Sequence, residues 1–242
     1  MDFFNPPIIS GSKNLLLLGI SSEEKKLAVL IDPDKFDLEK ISQFLLKLPE
    51  VTTHIFVGGS TVEAEKTEIL VKTIKNHTHL PIVLFPGDHS QITQAADAVL
   101  FLSLISGNNP EYLIGQQLKA VPKLKNSKLE ILPTGYILID GGRESAVQKV
   151  SGTTAIPQHE IEQIVHTALA GQYLGMKFIY LEAGSGAKIP VSEEIISEVK
   201  KAISIPLIVG GGICSMEQLH TAYRAGADLV VVGTAFEEGE LF

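Results

Sequence analysis

The chain has 242 residues and a net charge of −8, with 20 Lys and Arg against 28 Asp and Glu, which excludes a protein that coats nucleic acid. Hydrophobic residues at 45% and charged residues at 20% exclude disorder and predict a single well-cored domain over residues 1–242. The longest apolar runs, Leu15 to Leu18 and Val99 to Ile105, are too short for a bilayer span. With one cysteine, Cys214, and no basic-then-apolar leader pattern, the expectation is a cytoplasmic protein without an intrachain disulfide, in which Cys214 is a small buried or half-buried residue.

Residues 1–26 read as an N-terminal extension, with Ser12 placed to cap a short helix through Leu15 to Leu18. Leu27 to Ile31 is a strand closed by Asp32-Pro33-Asp34-Lys35. Proline stops the strand's hydrogen bonding, so Asp32 falls at the strand's C-terminal rim, either facing a ligand or capping the next turn, with Asp34 or Asp37 free to take the capping role. A helix with its apolar stripe at Ile41, Phe44, Leu45 and Leu48 leads to a second strand, Thr53 to Val57, which ends in Gly58-Gly59-Ser60. Ser60 is a candidate ligand or metal contact, or else the N-cap of a helix from Val62.

Pro81 to Phe85 is the third strand, and Pro86-Gly87-Asp88-His89 is a tight loop after it. Too little chain separates this loop from the fourth strand, Ala98 to Leu104, for a full helix, so the third βα unit is irregular. Glu111 to Lys119 is a helix, and Leu129 to Ile139 holds the fifth strand, with a break expected at Pro133-Thr134-Gly135. The polar, glycine-rich segment Asp140 to Pro157 reads as a loop or lid, with Arg143 its one anion-binding candidate or a solvated surface charge. His159 to Tyr173 is a helix.

Phe178 to Glu182 is the sixth strand, and period-two alternation puts Tyr180 and Glu182 on one side of it. A buried glutamate is costly unless it is paired or at work. Gly184-Ser185-Gly186 follows directly. Pro206 to Gly212 and Asp228 to Thr234 are two further β-branched runs, each ending in glycine, with a helix between them. Runs without polar alternation fit parallel strands covered on both faces. Gly184 to Gly186, Gly211-Gly212 and Gly233-Thr234 would then form one nest of backbone N–H groups for a phosphate. Asp32 and Ser60 could hold a hard divalent cation on oxygen ligands. The fold expected is α/β, a modified (β/α)8 barrel with an irregular third unit and an N-terminal extension.

Ile31-Asp32-Pro33-Asp34-Lys35, Gly58-Gly59-Ser60, Tyr180 to Gly186, Gly210-Gly211-Gly212-Ile213 and Val232-Gly233-Thr234 together resemble the geranylgeranylglyceryl phosphate synthase family, which includes the bacterial heptaprenylglyceryl phosphate synthases. The resemblance runs from Leu27 to the C-terminus. It implies a TIM barrel that joins sn-glycerol 1-phosphate to a long-chain prenyl diphosphate, forming an ether and releasing pyrophosphate. Asp32 and Ser60 would be the Mg2+ residues. Tyr180, Leu181, Glu182, Ala183, Gly184, Ser185, Gly186, Gly211, Gly212, Gly233 and Thr234 would bind the glycerol phosphate. Glu182 would accept the hydroxyl proton and Tyr180 would orient the glycerol. The resemblance also implies a homo-oligomer, a dimer or a hexamer, and leaves peripheral membrane contact open because the product is a lipid precursor.

The heptaprenyl branch usually carries a lysine two residues before the metal aspartate, where this chain has Leu30. That difference and the full Glu-Ala-Gly-Ser-Gly loop point to the archaeal-type branch and a geranylgeranyl donor over a heptaprenyl one. A phosphate-binding barrel isomerase and a non-catalytic binding protein are the alternatives.

Overall fold

Eight apolar runs become strands because β-branched side chains suit a sheet buried on both faces. In the computed structural model, which describes residues 24–63 and 65–233, these are β1 Lys26–Ile31, β2 Thr52–Val57, β3 Ile82–Leu84, β4 Ala98–Leu104, β5 Glu130–Leu138, β6 Phe178–Glu182, β7 Leu207–Gly210 and β8 Leu229–Val232. They pair in parallel in sequence order, and β8 closes on β1 through Leu27↔Val230 and its neighbours. The helices are α1 Ile41–Leu46, α2 Lys66–Lys75, α3 Gln116–Leu124, α4 Ala146–Ser151, α5 Ile161–Tyr173, α6 Glu193–Ala202 and α7 Met216–Ala225. The expected N-terminal helix lies outside the described residues, as does Thr234.

Alternation along the strands builds two kinds of core. Ala28, Phe56, Val83, Leu100, Tyr180, Ile208 and Val231 fill the barrel, while Val29, Ile137, Leu181 and Val209 on the other parity pack against helices. Each fully buried aliphatic side chain contributes roughly 1.5–3 kcal/mol, so this division of faces sets the register. Helix ends follow local chemistry. The Ser192 hydroxyl accepts from Ile195 N at the start of α6, whose first turn is acidic and last turn basic, in accord with the helix dipole. Ser215 caps α7 in the same way, and Gly226, at φ 119°, closes it.

Four expectations need correction. β5 runs unbroken through Pro133-Thr134-Gly135. The glycine there is a packing device: a Cβ on Gly135 would lie 2.8 Å from Ile105 Cδ1 and 3.1 Å from Ile179 Cδ1. The segment after β5 contains α4, held by a full capping box between Ser145 and Gln148. α2 begins at Lys66, well past Ser60, so Ser60 is not its N-cap. Cys214, read as a small buried or half-buried residue, is exposed. The irregular third unit is as expected, a single 3-10 turn at His89–Gln91, capped by Asp88 where a helix would normally stand.

Candidate active site

The C-terminal ends of the strands surround a cavity of about 930 Å3, near the upper end for small-molecule sites. Its central group is Glu182, the last residue of β6, which is 6% exposed. Glu182 Oε1 accepts the Gly184 N–H at 2.7 Å. The phenols of Tyr180 and Tyr136 also donate to this carboxylate. Burial pushes the Glu182 carboxyl up to about 7, against the opposing pull of these three donors. The same burial, reinforced by the facing carboxylate, holds both tyrosines well above their ordinary range, so they stay protonated and keep donating.

An aromatic cluster fixes the tyrosines. Phe85 stacks on Tyr180 with ring centroids 5.2 Å apart and planes 6° off parallel, and Tyr136 lies 5.3 Å from Tyr180. The glycines ending β7 make room for this arrangement. A Cβ on Gly210 would overlap the Tyr180 hydroxyl, and one on Gly211 would lie 2.6 Å from both Glu182 Oε1 and Gly184 N. Gly211 and Gly212 have φ of 86° and 73°, and Gly184 and Gly186 have 99° and 63°, a left-handed backbone that turns successive N–H groups to one side. Gly211, Gly212, Gly233, Gly184, Ser185 and Gly186 all line the cavity. Leu181 and Ala183 alternate away into the helix-facing core, so they shape the strand end without reaching the cavity.

Across the mouth, Asp32 is half-buried. Its Oδ1 accepts from Asp34 N at 3.1 Å and its Oδ2 pairs with Lys35 Nζ at 2.9 Å, so it forms the turn and still faces the cavity. Asp37 caps the 3-10 turn at Leu38–Lys40. Ser60 also lines the cavity, and a Cβ on the neighbouring Gly59 would sit 2.9 Å from Asp32 Oδ1. The absent side chain lets the carboxylate rest against the β2 loop. No cluster of three or more His, Cys, Asp or Glu suited to a metal occurs among the described residues. One carboxylate, one hydroxyl and open space still fit magnesium, which takes few protein oxygens and completes its shell with phosphate and water.

The apolar arm of the cavity was not legible in the sequence. It is lined by Ile92, Val99, Phe101, Leu102 and Ala120, and it opens beside the short turn that replaces the third helix. Gln117 borders it and donates to the Leu102 carbonyl. Arg143 is exposed, yet its Nη2 donates to the Ser185 carbonyl at 2.9 Å and its side chain borders the cavity. Arg143 is thus a solvent-exposed charge, as one of its two readings had it, placed at the cavity edge. Tyr136 was missed because a break was expected in β5, although counting by twos from Thr134 places it inward.

The PcrB family model matches residues 20–241. The geranylgeranylglyceryl phosphate synthase of Zunongwangia profunda is 64% identical over 217 residues, covering 90% of this chain and 93% of the relative. That of Pyrococcus furiosus is 44% identical over 218 residues, covering 89% and 86%. The crystal structure of (S)-3-O-geranylgeranylglyceryl phosphate synthase from Thermoplasma acidophilum, in complex with its substrate sn-glycerol-1-phosphate, matches with a TM-score of 0.83 at 34% identity, covering 91% of this chain and 90% of that one. The chain belongs to the PcrB family.

Proposed function

We propose that this PcrB-family barrel is a prenyltransferase that joins the C3 hydroxyl of sn-glycerol 1-phosphate to geranylgeranyl diphosphate, forming an ether and releasing pyrophosphate. The observation that carries this reading is one cavity with three unlike walls: a nest of glycine N–H groups, a buried carboxylate held by two tyrosines, and an apolar arm. The relatives' shared name, and the glycerol phosphate bound by the Thermoplasma protein, support it.

In this reading the phosphate rests in the nest near the N-terminus of α7, where backbone N–H groups and the helix dipole favour an anion in a chain of net charge −8. Glu182, with its carboxyl near 7, accepts the C3 hydroxyl proton as that oxygen attacks the allylic carbon. The new C–O bond forms as the old one breaks, and its electron pair leaves with the pyrophosphate. Tyr180 and Tyr136 keep the carboxylate aimed, and the aromatic cluster lends π density near the positive charge that develops on the allyl group. Asp32 and Ser60 would hold Mg2+, whose charge offsets that of the leaving diphosphate. Lys35, already on Asp32, adds a cation at the same edge. The apolar arm takes the prenyl tail, each buried CH2 contributing roughly 0.8 kcal/mol.

Leu30, which lines the cavity 3.8 Å from a Cβ built on Gly233, keeps that edge apolar and favours the C20 donor. The test is turnover with magnesium and glycerol 1-phosphate on a ladder of prenyl diphosphates from C10 to C35. A peak at C20 is expected. A peak at C35 would move the donor to heptaprenyl diphosphate, and no product at any length would leave a phosphate-binding isomerase or a non-catalytic binding protein. We further read the chain as a cytoplasmic homo-oligomer, a dimer or hexamer. Exposed Ile114, Leu118 and Val121, spaced along one helical face, support the assembly, and light scattering gives its mass. No helix among the described residues is long and apolar enough to cross a membrane, and surface contact with lipid is compatible with a prenyl substrate.

A further inference from the structure

We propose that Gln91, a buried residue outside the cavity, is the positioning residue for the diphosphate half of the site. The inference rests on the assignment of Asp32 and Ser60 given above. Beyond Val57 and Phe85 the β2–β3 ladder stops, and the loops that continue it are pressed together through missing side chains. A Cβ on Gly58 would overlap the Phe85 carbonyl, and one on Gly87 would overlap the Gly59 carbonyl and lie 2.7 Å from the Ser60 carbonyl. Gln91 takes over where the ladder ends. Its Nε2 donates to the Gly59 carbonyl at 2.8 Å, and its Oε1 accepts the Gly59 N–H at 3.4 Å.

One side-chain amide thus answers both polar groups of Gly59, as a neighbouring strand would. Gln91 is 3% exposed and sits in the 3-10 turn capped by Asp88, whose Oδ1 accepts Ser90 N at 2.6 Å. Fixing Gly59 fixes two things at once: the wall against which Asp32 Oδ1 lies, and the direction in which Ser60 leaves the chain. Gln91 itself does not line the cavity, so it acts through the loop. A residue that only stabilised the barrel would affect both ends of the cavity alike. Gln91 braces one end.

The test uses the full chain with Gln91→Met, which keeps length and bulk but loses both hydrogen bonds, and Gln91→Glu, which keeps the acceptor and loses the donor. Calorimetric titrations with magnesium pyrophosphate and, separately, with glycerol 1-phosphate are compared with melting curves. For Gln91→Met we expect magnesium pyrophosphate binding and the KM for the prenyl diphosphate to worsen by about fivefold to tenfold, with glycerol 1-phosphate affinity within about twofold of wild type. Gln91→Glu, which turns a carboxylate oxygen toward the Gly59 carbonyl, should weaken the same ligand at least as much, and it gives a second reading of the same selectivity should the Met variant not fold. Equal weakening of both ligands, or no change in either, would overturn the proposal. Wild-type protein that binds neither ligand would overturn the functional reading beneath it, a distinct result.

Discussion

The β3–β4 and β7–β8 quarters of the barrel are built on the same frame and end in opposite chemistry. In the first, Asp97 just before β4 engages both backbone groups of Ile82: its N–H donates to Ile82 O at 2.9 Å, and its side-chain Oδ2 accepts Ile82 N at 2.8 Å. Lys75 at the end of α2 pairs with it at 2.7 Å. In the second, Asp228 just before β8 does the same with Leu207, at 2.9 and 2.8 Å, and Lys200 near the end of α6 pairs with it at 2.6 Å. Between the clamped strands, however, one quarter has only the turn His89–Gln91 and the other has the ten-residue α7. Where the helix is present, its N-terminus and the glycines before it form the cavity wall that we assign to the phosphate. Where it is missing, the side of β4 lies open and the cavity acquires its apolar arm. The clamp at the bottom leaves the rim free to vary.

The largest expected effect lies between these quarters. Glu182→Gln should lower kcat by about 10²–10⁴-fold while glycerol 1-phosphate still binds, because both tyrosines and the nest remain. The same substitution has a predictable effect on stability. The folded-state carboxyl, at about 7, lies above its ordinary 4.5. Its contribution is therefore fully present below pH 4.5 and is lost as pH rises through 7. By pH 8 the wild type carries a penalty of up to about 3 kcal/mol that glutamine lacks. The variant should melt higher than wild type at pH 8 and lose that advantage at pH 5. Unchanged turnover would remove the base role, and a melting difference that ignores pH would remove the burial argument.

Smaller and opposite effects should separate the two rims. Gly211→Ala places a Cβ 2.6 Å from Glu182 Oε1 on a backbone at φ 86°, which costs of order 1–3 kcal/mol. It should raise the KM for glycerol 1-phosphate by about tenfold or more and spare the choice of donor. Phe101→Trp, in the apolar arm, should do the reverse, shortening the best donor while the glycerol phosphate KM stays put. If either variant disturbs both substrates equally, the rims are not independent.

What the sequence revealed and what it hid divide along the same line. The nest was legible because glycines at strand ends carry their own backbone meaning, and Glu182 was legible because a charge on an apolar strand needs a reason. Tyr136 was hidden by Pro133-Thr134-Gly135, which imitates a strand end but packs Gly135 against Ile105 and Ile179. Gln91 was hidden because its partner lies 32 residues away and a buried glutamine breaks no periodic pattern. The apolar arm is the consequence of a missing element. The sequence shows the gap as a short loop, but the volume it opens depends on how α3 and β4 face each other.

The smallest effects on turnover should come from the clamps, and their effects on stability test whether the frames are truly equivalent. Asp228 is 3% exposed and has a second lysine, Lys25, at 3.8 Å, whereas the Asp97 side chain is 30% exposed. Coulombic attraction near the surface is screened, so the Asp97–Lys75 pair should contribute about 1 kcal/mol or less, and most of the value of Asp97 lies in its bond to Ile82 N. Removing Asp228 leaves a half-buried Lys200 and an unanswered buried N–H on Leu207, a loss of about 3 kcal/mol. Asp228→Ala should therefore lower the melting temperature more than Asp97→Ala, and high salt should narrow the deficit of neither by much, since backbone bonds dominate both. The KM values should stay near wild type in the two variants, because each clamp sits at the end of the barrel away from the cavity. A shift in the glycerol phosphate KM with Asp228→Ala alone would show that the β7–β8 frame does more than hold strands, and that the nest depends on a clamp a full strand length beneath it.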